Sequence, residues 1–201
     1  VNLFEPDYVW PDRDRAPAHP VIKVSLTTQQ VNETLSFFYA IMNYNKEHNI
    51  REQKVAQDGR HITKEGLMGE TAFGAVFGLK RAYDVGLFKG FDFVVPSGLF
   101  VDVKQADFHD RGMIVELSTD PENPRTDLYC FVTGRNANYT IQGYAWADEV
   151  LVPERINPKL PKKAYYTVKH QLRDPRDLAL PTAPLIMGCR LGKNGRIRSR
   201  R

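Results

Sequence analysis

The stretch from Phe88 to Gln105 reads FKGFDFVVPSGLFVDVKQ, an apolar, strand-like run that nevertheless carries Asp92, Asp102 and Lys104. Carboxylate oxygens are ligands for hard divalent cations, and a lysine beside them supplies one positive charge. Whether these residues meet depends on the turn between them. Pro96 suits the first position of a type I turn and Gly98 the left-handed position that closes a three-residue loop. That loop pairs Val95 with Leu99, Val94 with Phe100, Phe93 with Val101 and Asp92 with Asp102. Side chains alternate along a strand, so one face then carries Phe91, Phe93, Val95, Leu99, Val101 and Val103, all apolar. The other carries Val94, Phe100, the two aspartates and Lys104. A two-residue turn would shift the register and separate the aspartates; the three-residue turn is preferred because it uses both Pro96 and Gly98 where they fit.

Opposed aspartates repel, and partial burial strengthens the repulsion. Either one carboxylate takes a proton or a cation sits between them. Lys104 brings one charge but cannot bridge both, whereas a magnesium ion is commonly held by only one or two carboxylates. A third acid lies upstream, in GLMGETAFGAVFGLKRAY. Leu67, Glu70, Phe73, Gly74 and Phe77 share one helical face, so Glu70 either points inward at the sheet or snorkels from the edge of the stripe. Glycines 69, 74 and 78 each cost about 1 kcal/mol of helix propensity relative to alanine. The expected return is close approach of the helix to the sheet.

Taken together, GETAFG, FDFVV and VDVKQ resemble the PD-(D/E)xK nuclease superfamily, which includes restriction endonucleases, phage exonucleases and junction resolvases. The resemblance is firm over about residues 66–105 and extends more loosely through DLYCFVTGR and YTIQGYAWADEV to AYYTVKHQLR, a succession similar to small phage-like or bacterial members. Phe91 stands where the motif often has proline. The resemblance implies a restriction-endonuclease-like α/β fold, a mixed β-sheet core flanked by helices. It implies that Asp92 and Asp102 ligate Mg2+ (with Mn2+ as a substitute), that Glu70 ligates directly or through water, and that the Val103 carbonyl contributes. Lys104 would orient or deprotonate the attacking water. Gln105 either touches the scissile phosphate or, facing the other way, is structural. The implied activity is hydrolysis of DNA phosphodiesters, double-stranded or branched, by a single chain or a homodimer. A junction-resolving endonuclease, a catalytically silent nucleic-acid-binding protein on the same fold, and a structural protein with exposed strand-end aspartates are the alternatives.

Several elements must position these groups. Thr27 and Gln30 form a capping-box pattern ahead of Val31, Leu35, Phe38 and Met42 at helical spacing, predicting a helix over 28–48. A strand is expected at 21–26, a loop at 50–63, a second helix at 64–83, and strands at 112–118, 127–133, 139–145 and 164–172. Residues 1–20 read as an irregular arm, 151–163 as a proline- and lysine-rich loop, and everything after Arg173 as irregular. Helices followed by adjacent strands indicate an α/β or α+β domain, here one domain over residues 1–201.

At 201 residues and 42% apolar content, the chain can bury a substantial core. Residues 151–201 hold thirteen Lys and Arg against three acids, and residues 1–150 fifteen against twenty-one, within an overall charge of +4. The last twelve, RLGKNGRIRSRR, include six bases and no acid. This basic segment (about 174–201), with Lys162, Lys163, Lys193, Arg196 and Arg198 as candidate contacts, suits a polyanion, or is simply a solvated tail. No apolar run reaches membrane-spanning length. VNLFEPDYVW lacks a signal-like layout, so a cytoplasmic protein is expected, in the host cytoplasm if phage-encoded. Cys130 and Cys189 lack CxxC spacing, and Cys130 in LYCFV reads as a small buried hydrophobe. His19, His48, His61, His109 and His170 lack zinc-hydrolase spacing, and no phosphate-binding or dinucleotide fingerprint occurs. His109 with Asp107 and Asp110 reads as a turn. Tyr139, Tyr144, Trp146, Tyr165 and Tyr166 read as core aromatics or as base-stacking groups.

Overall fold

A computed structural model describes residues 17–48, 59–87, 90–107, 112–117, 119–158, 160, 163–179, 190–191 and 197–198, the last two pairs and 59–63 as backbone only. Its elements in chain order are β1 (Ile22–Ser25), α1 (Thr28–Glu47), α2 (Gly59–Phe77), β2 (Phe93–Val94), β3 (Phe100–Ala106), β4 (Met113–Glu116), β5 (Leu128–Arg135), β6 (Asn138–Trp146), α3 (Ala147–Val150), β7 (Ile156–Asn157), β8 (Ala164–Thr167), β9 (Arg190–Leu191) and β10 (Ile197–Arg198). The main sheet runs β1-β6-β5-β3-β2, with a second sheet β4-β8-β7. β3 and β5 are parallel, and the other neighbours in the main sheet are antiparallel, so it is mixed.

β5 explains why two layers cover the sheet. Its first seven residues, LYCFVTG, are all buried, the continuous apolar run expected of a central strand covered on both faces. Leu128, Cys130 and Val132 join a core with Met68, Ala72 and Phe73 of α2 and with Val101 and Val103 of β3. Tyr129 and Phe131 face the other way, into a core with Met113 and Val115 of β4, Tyr165 of β8, and Ala147 and Val150 of α3. The long helices therefore lie on one face, and the small sheet with the four-residue α3 on the other. Cys130 is fully buried, as expected, and Tyr139, Tyr144, Trp146 and Tyr165 are buried.

α1 starts as the capping box dictates. The Thr27 hydroxyl oxygen accepts from Gln30 N, and Gln30 Oε1 accepts from Thr27 N at 2.9 Å. α2 departs from expectation at both ends, starting at Gly59 within the expected loop and ending at Phe77 rather than near Tyr83. Gly78 takes a left-handed φ of +65°, and Leu79 N donates to Gly74 O at 2.9 Å, the bond pattern of a Schellman stop. Gly78 is thus a helix terminator, while Gly69 and Gly74 do allow close approach. A Cβ on Gly69 would lie 2.9 Å from Gln105 Cγ, and one on Gly74 2.8 Å from Leu79 O and 3.1 Å from the Phe93 ring.

The expected strand at 164–172 stops at Thr167 and continues as 3-10 turns at Lys169–Gln171 and Pro175–Ala179. The loop at 151–163 contains a 3-10 turn at Pro153–Arg155 and strand β7. The basic segment, expected to be irregular, holds the antiparallel pair β9–β10. Among the described residues, no helix is long and apolar enough to cross a membrane.

Candidate active site

The hairpin register is the one that Pro96, Ser97 and Gly98 predict. Phe93 pairs with Val101 and Val94 with Phe100, Val95 N donates to Leu99 O at 3.0 Å, and Gly98 N to Val95 O at 2.8 Å. Gly98 has φ +83°. Phe93, Val95, Leu99, Val101 and Val103 are buried in the helix-side core as expected.

At Asp92 the hairpin departs from a regular ladder. Asp92 N donates to Val101 O at 2.8 Å, and the Asp92 carboxylate takes the next amide along, accepting from Val103 N at 2.7 Å. A side chain thus replaces a strand carbonyl where the partner strand would have continued. Asp92 and Asp102 are therefore not a simple cross-strand pair. Phe91, expected on the apolar face, instead stacks on Phe100 with ring centroids 4.2 Å apart. The Val103 carbonyl leaves the backbone on the same side as its N–H, so it also faces the Asp92 edge.

Asp102 and Lys104 stand opposite Tyr129 and Phe131 of β5 in register. They therefore project from the face away from α2, so a Glu70 that points inward from α2 does not share a sheet face with Asp102 and Lys104. Lys104 Nζ lies 2.8 Å from each carboxylate oxygen of Asp102 and 5.7 Å from the centre of the Tyr129 ring. Glu116 of β4 lies close enough for its charge to act on Lys104.

Glu70 reaches this edge from the helix side, through the segment that follows Gly78. Arg81 Nε donates to Glu70 Oε2 at 2.9 Å, and the Tyr83 hydroxyl donates to the same oxygen at 2.5 Å. Between them, Ala82 N donates to Asp92 O at 2.8 Å. Arg81 Nη2 also donates to Leu67 O at 2.7 Å and to Thr71 Oγ1 at 2.6 Å, and its guanidinium lies over the Phe37 ring. Spacing marks Glu70 but neither Arg81 nor Tyr83. They lie beyond the helix stop, where no periodicity points to them. Tyr129 and Glu116 also escape a reading of the sequence, because only strand pairing and layer packing bring them to Lys104.

The charges behave as a crowded cluster. Burial, then the negative charges of Glu70 and Asp102, push the Asp92 carboxyl well above its usual range, against the pull of the Val103 amide and Lys104. Burial likewise raises Glu70, opposed by the Arg81 charge and by hydrogen bonds from Tyr83 and Arg81. Burial would lower Lys104, but Asp102, Asp92 and Glu116 outweigh it, so the net shift is upward and the ammonium persists. Burial, then the Glu70 charge, push the Tyr83 phenol up, so it remains a donor.

Among the described residues, no group of three or more His, Cys, Asp or Glu stands ready to hold a metal ion as arranged. Asp92 and Asp102 nevertheless lie close enough for their charges to repel, and with the Val103 carbonyl they offer oxygen-only donors of the kind magnesium accepts with water completing its shell. Gln105 faces α2. It donates to Gly134 O at 2.8 Å and packs under Gly69, which is the structural alternative for this residue. Lys163 is exposed. Arg198 lies on β10. Lys162, Lys193, Arg196, His109 and Asp110 fall outside the described residues. No family model, curated protein or solved structure matches this chain.

Proposed function

We propose that the chain is a metal-dependent nuclease that hydrolyses DNA phosphodiesters at the β2 edge of its main sheet. One observation carries this reading. Three carboxylates, Glu70 of α2, Asp92 just ahead of β2 and Asp102 of β3, act on one another electrostatically, with Lys104 ion-paired to Asp102 and Arg81 to Glu70, so that two cations face three acids. Such crowding costs stability unless a cation offsets it, and a fold that keeps it has a use for the cation.

Asp92, Asp102 and the Val103 carbonyl are the groups that would hold a magnesium or manganese ion, with Glu70 reaching it directly or through water. When bound, the ion supplies an acidified water and charge neutralisation for the phosphate. Asp102 fixes Lys104 at its ammonium end and Tyr129 packs against that end, which leaves a half-buried cation oriented beside the carboxylates. There it offsets charge that develops on phosphate oxygens and orients the attacking water. The restriction-endonuclease-like identity of the sheet belongs to the same proposal. Its support is the order of the parts: an acid on a helix, an acid before the first hairpin strand, and Asp-x-Lys on the second.

Replacing Lys104 separates catalysis from simple phosphate binding. Lys104→Ala is expected to lower the cleavage rate by about 100-fold or more, the scale of losing one oriented charge in a site, while DNA affinity stays near wild type. Equal losses of cleavage and affinity would reduce Lys104 to a phosphate contact and favour the catalytically silent binding protein.

A further inference from the structure

The structure assigns a positioning role to the segment Arg81-Ala82-Tyr83, which we propose is a brace that sets the Glu70–Asp92 spacing and through it the site's affinity for a divalent ion. The inference rests on the reading of these acids as a metal site and extends it to residues that no motif marks.

The three residues act in alternation. Side chains 81 and 83 both donate to Glu70 Oε2, while the main chain of residue 82 donates to Asp92 O. Gly78 ends α2 only a few positions before Tyr83, so the chain turns off the helix and immediately ties two of the acids to one backbone strip. Both side-chain donors choose Oε2. The carboxylate is thereby held by one oxygen and oriented by it.

The brace is anchored from outside the site. Arg81 is held by Leu67 O and Thr71 Oγ1. Thr71 Oγ1 lies 2.6 Å from Thr34 Oγ1 of α1, and the Phe37 ring of α1 lies under the guanidinium. Tyr83 is buried beside Phe38 and Leu67, with its ring 6.0 Å from that of Phe37. The packing of α1 on α2 is thus transmitted to a single carboxylate. Hydrogen-bond partners of this kind, one step removed from a metal ligand, fix its orientation and commonly change metal affinity by about 10- to 100-fold.

Tyr83→Phe keeps the packed ring and removes only the hydroxyl, so it isolates the brace from the core. The experiment is Mn2+ titration by calorimetry, with melting temperature in EDTA as the control for folding, on wild type, Tyr83→Phe, Glu70→Gln and the double variant. Tyr83→Phe is expected to bind Mn2+ about tenfold or more weakly. Added to Glu70→Gln, it is expected to cost little further, because its effect passes through that carboxylate. DNA cleavage should fall in kcat with KM for DNA unchanged. Wild-type Mn2+ affinity in Tyr83→Phe, or the same loss in both Glu70 backgrounds, would overturn the brace while the metal site stands. Absence of Mn2+ binding by the wild type would overturn the active-site reading, and the brace with it.

Discussion

Asp92 gives one carboxylate oxygen to the Val103 amide, and burial with the charges of Glu70 and Asp102 outweighs the pull of that amide and of Lys104. An asparagine side chain at this position would keep an acceptor for that amide while removing the charge. Asp92→Asn is therefore expected to stabilise the metal-free protein by about 1 kcal/mol, a rise of a few degrees in melting temperature for a chain of this size. The sign follows from the raised carboxyl. Below the ordinary carboxylate range, Asp92 is neutral in the folded and unfolded chain alike, and the two proteins should differ least. As pH rises toward the folded-state value, the unfolded chain gains an ionisation that the folded one resists, so the advantage of the amide variant grows. The same variant should lose stabilisation by magnesium. Melting curves in EDTA and in magnesium at acidic and mildly alkaline pH test both parts, and a destabilised Asp92→Asn in EDTA would contradict the account. At this scale the sequence singles out Asp92, Asp102, Lys104 and Glu70 as charges within otherwise apolar, periodic segments, and the structure brings their charges within reach of one another. Tyr83 and Arg81 follow a glycine that ends the periodicity, and their partners become visible only once the chain has folded back.

At the scale of elements, the glycines of α2 decide how closely the helix carrying Glu70 approaches the sheet. Propensity alone makes Gly74→Ala stabilising by about 1 kcal/mol. The structure reverses that sign, because the new methyl would stand 2.8 Å from Leu79 O, the turn that stops the helix, and 3.1 Å from the Phe93 ring. Overpacking of this kind costs about 1–3 kcal/mol. Urea denaturation is expected to show a net loss of about 1 kcal/mol once the propensity gain is subtracted. A gain would mean that the helix stop and the Glu70 approach are softer than drawn. The hairpin was the most legible element, since Pro96 and Gly98 each suit one turn position and fix the register between them. Where it fails, at Asp92, a side-chain carboxylate competes for a strand amide, and alternation no longer predicts which way Phe91 points. The end of α2 was misread for a related reason: LKRAY continues an apolar and basic pattern that suits a helix, while Gly78 supplies the backbone conformation that ends it.

Across the whole molecule, the main sheet is held between two long helices on one face and a three-stranded sheet on the other, and the candidate site lies at its β2 edge. β3 carries Asp102 and Lys104 toward the small sheet, and α2 brings Glu70 from the opposite side. The acids can meet only at that edge, where the last strand is two residues long. The small second sheet was not foreseeable as a layer, because its strands read locally like members of a single sheet and only their long-range pairing separates them. The first 150 residues are acidic and the remainder strongly basic, a distribution that under the nuclease proposal would help the chain engage a polyanion. The most direct test is cleavage of supercoiled, linear and branched DNA by purified wild type and Asp102→Asn, each in magnesium, in manganese and in EDTA. The account predicts cleavage of at least one substrate by the wild type only with metal, reduced by about 100-fold or more in Asp102→Asn. Cleavage that persists in EDTA or is unchanged in Asp102→Asn, or a wild type inert on every substrate with either metal, would contradict it.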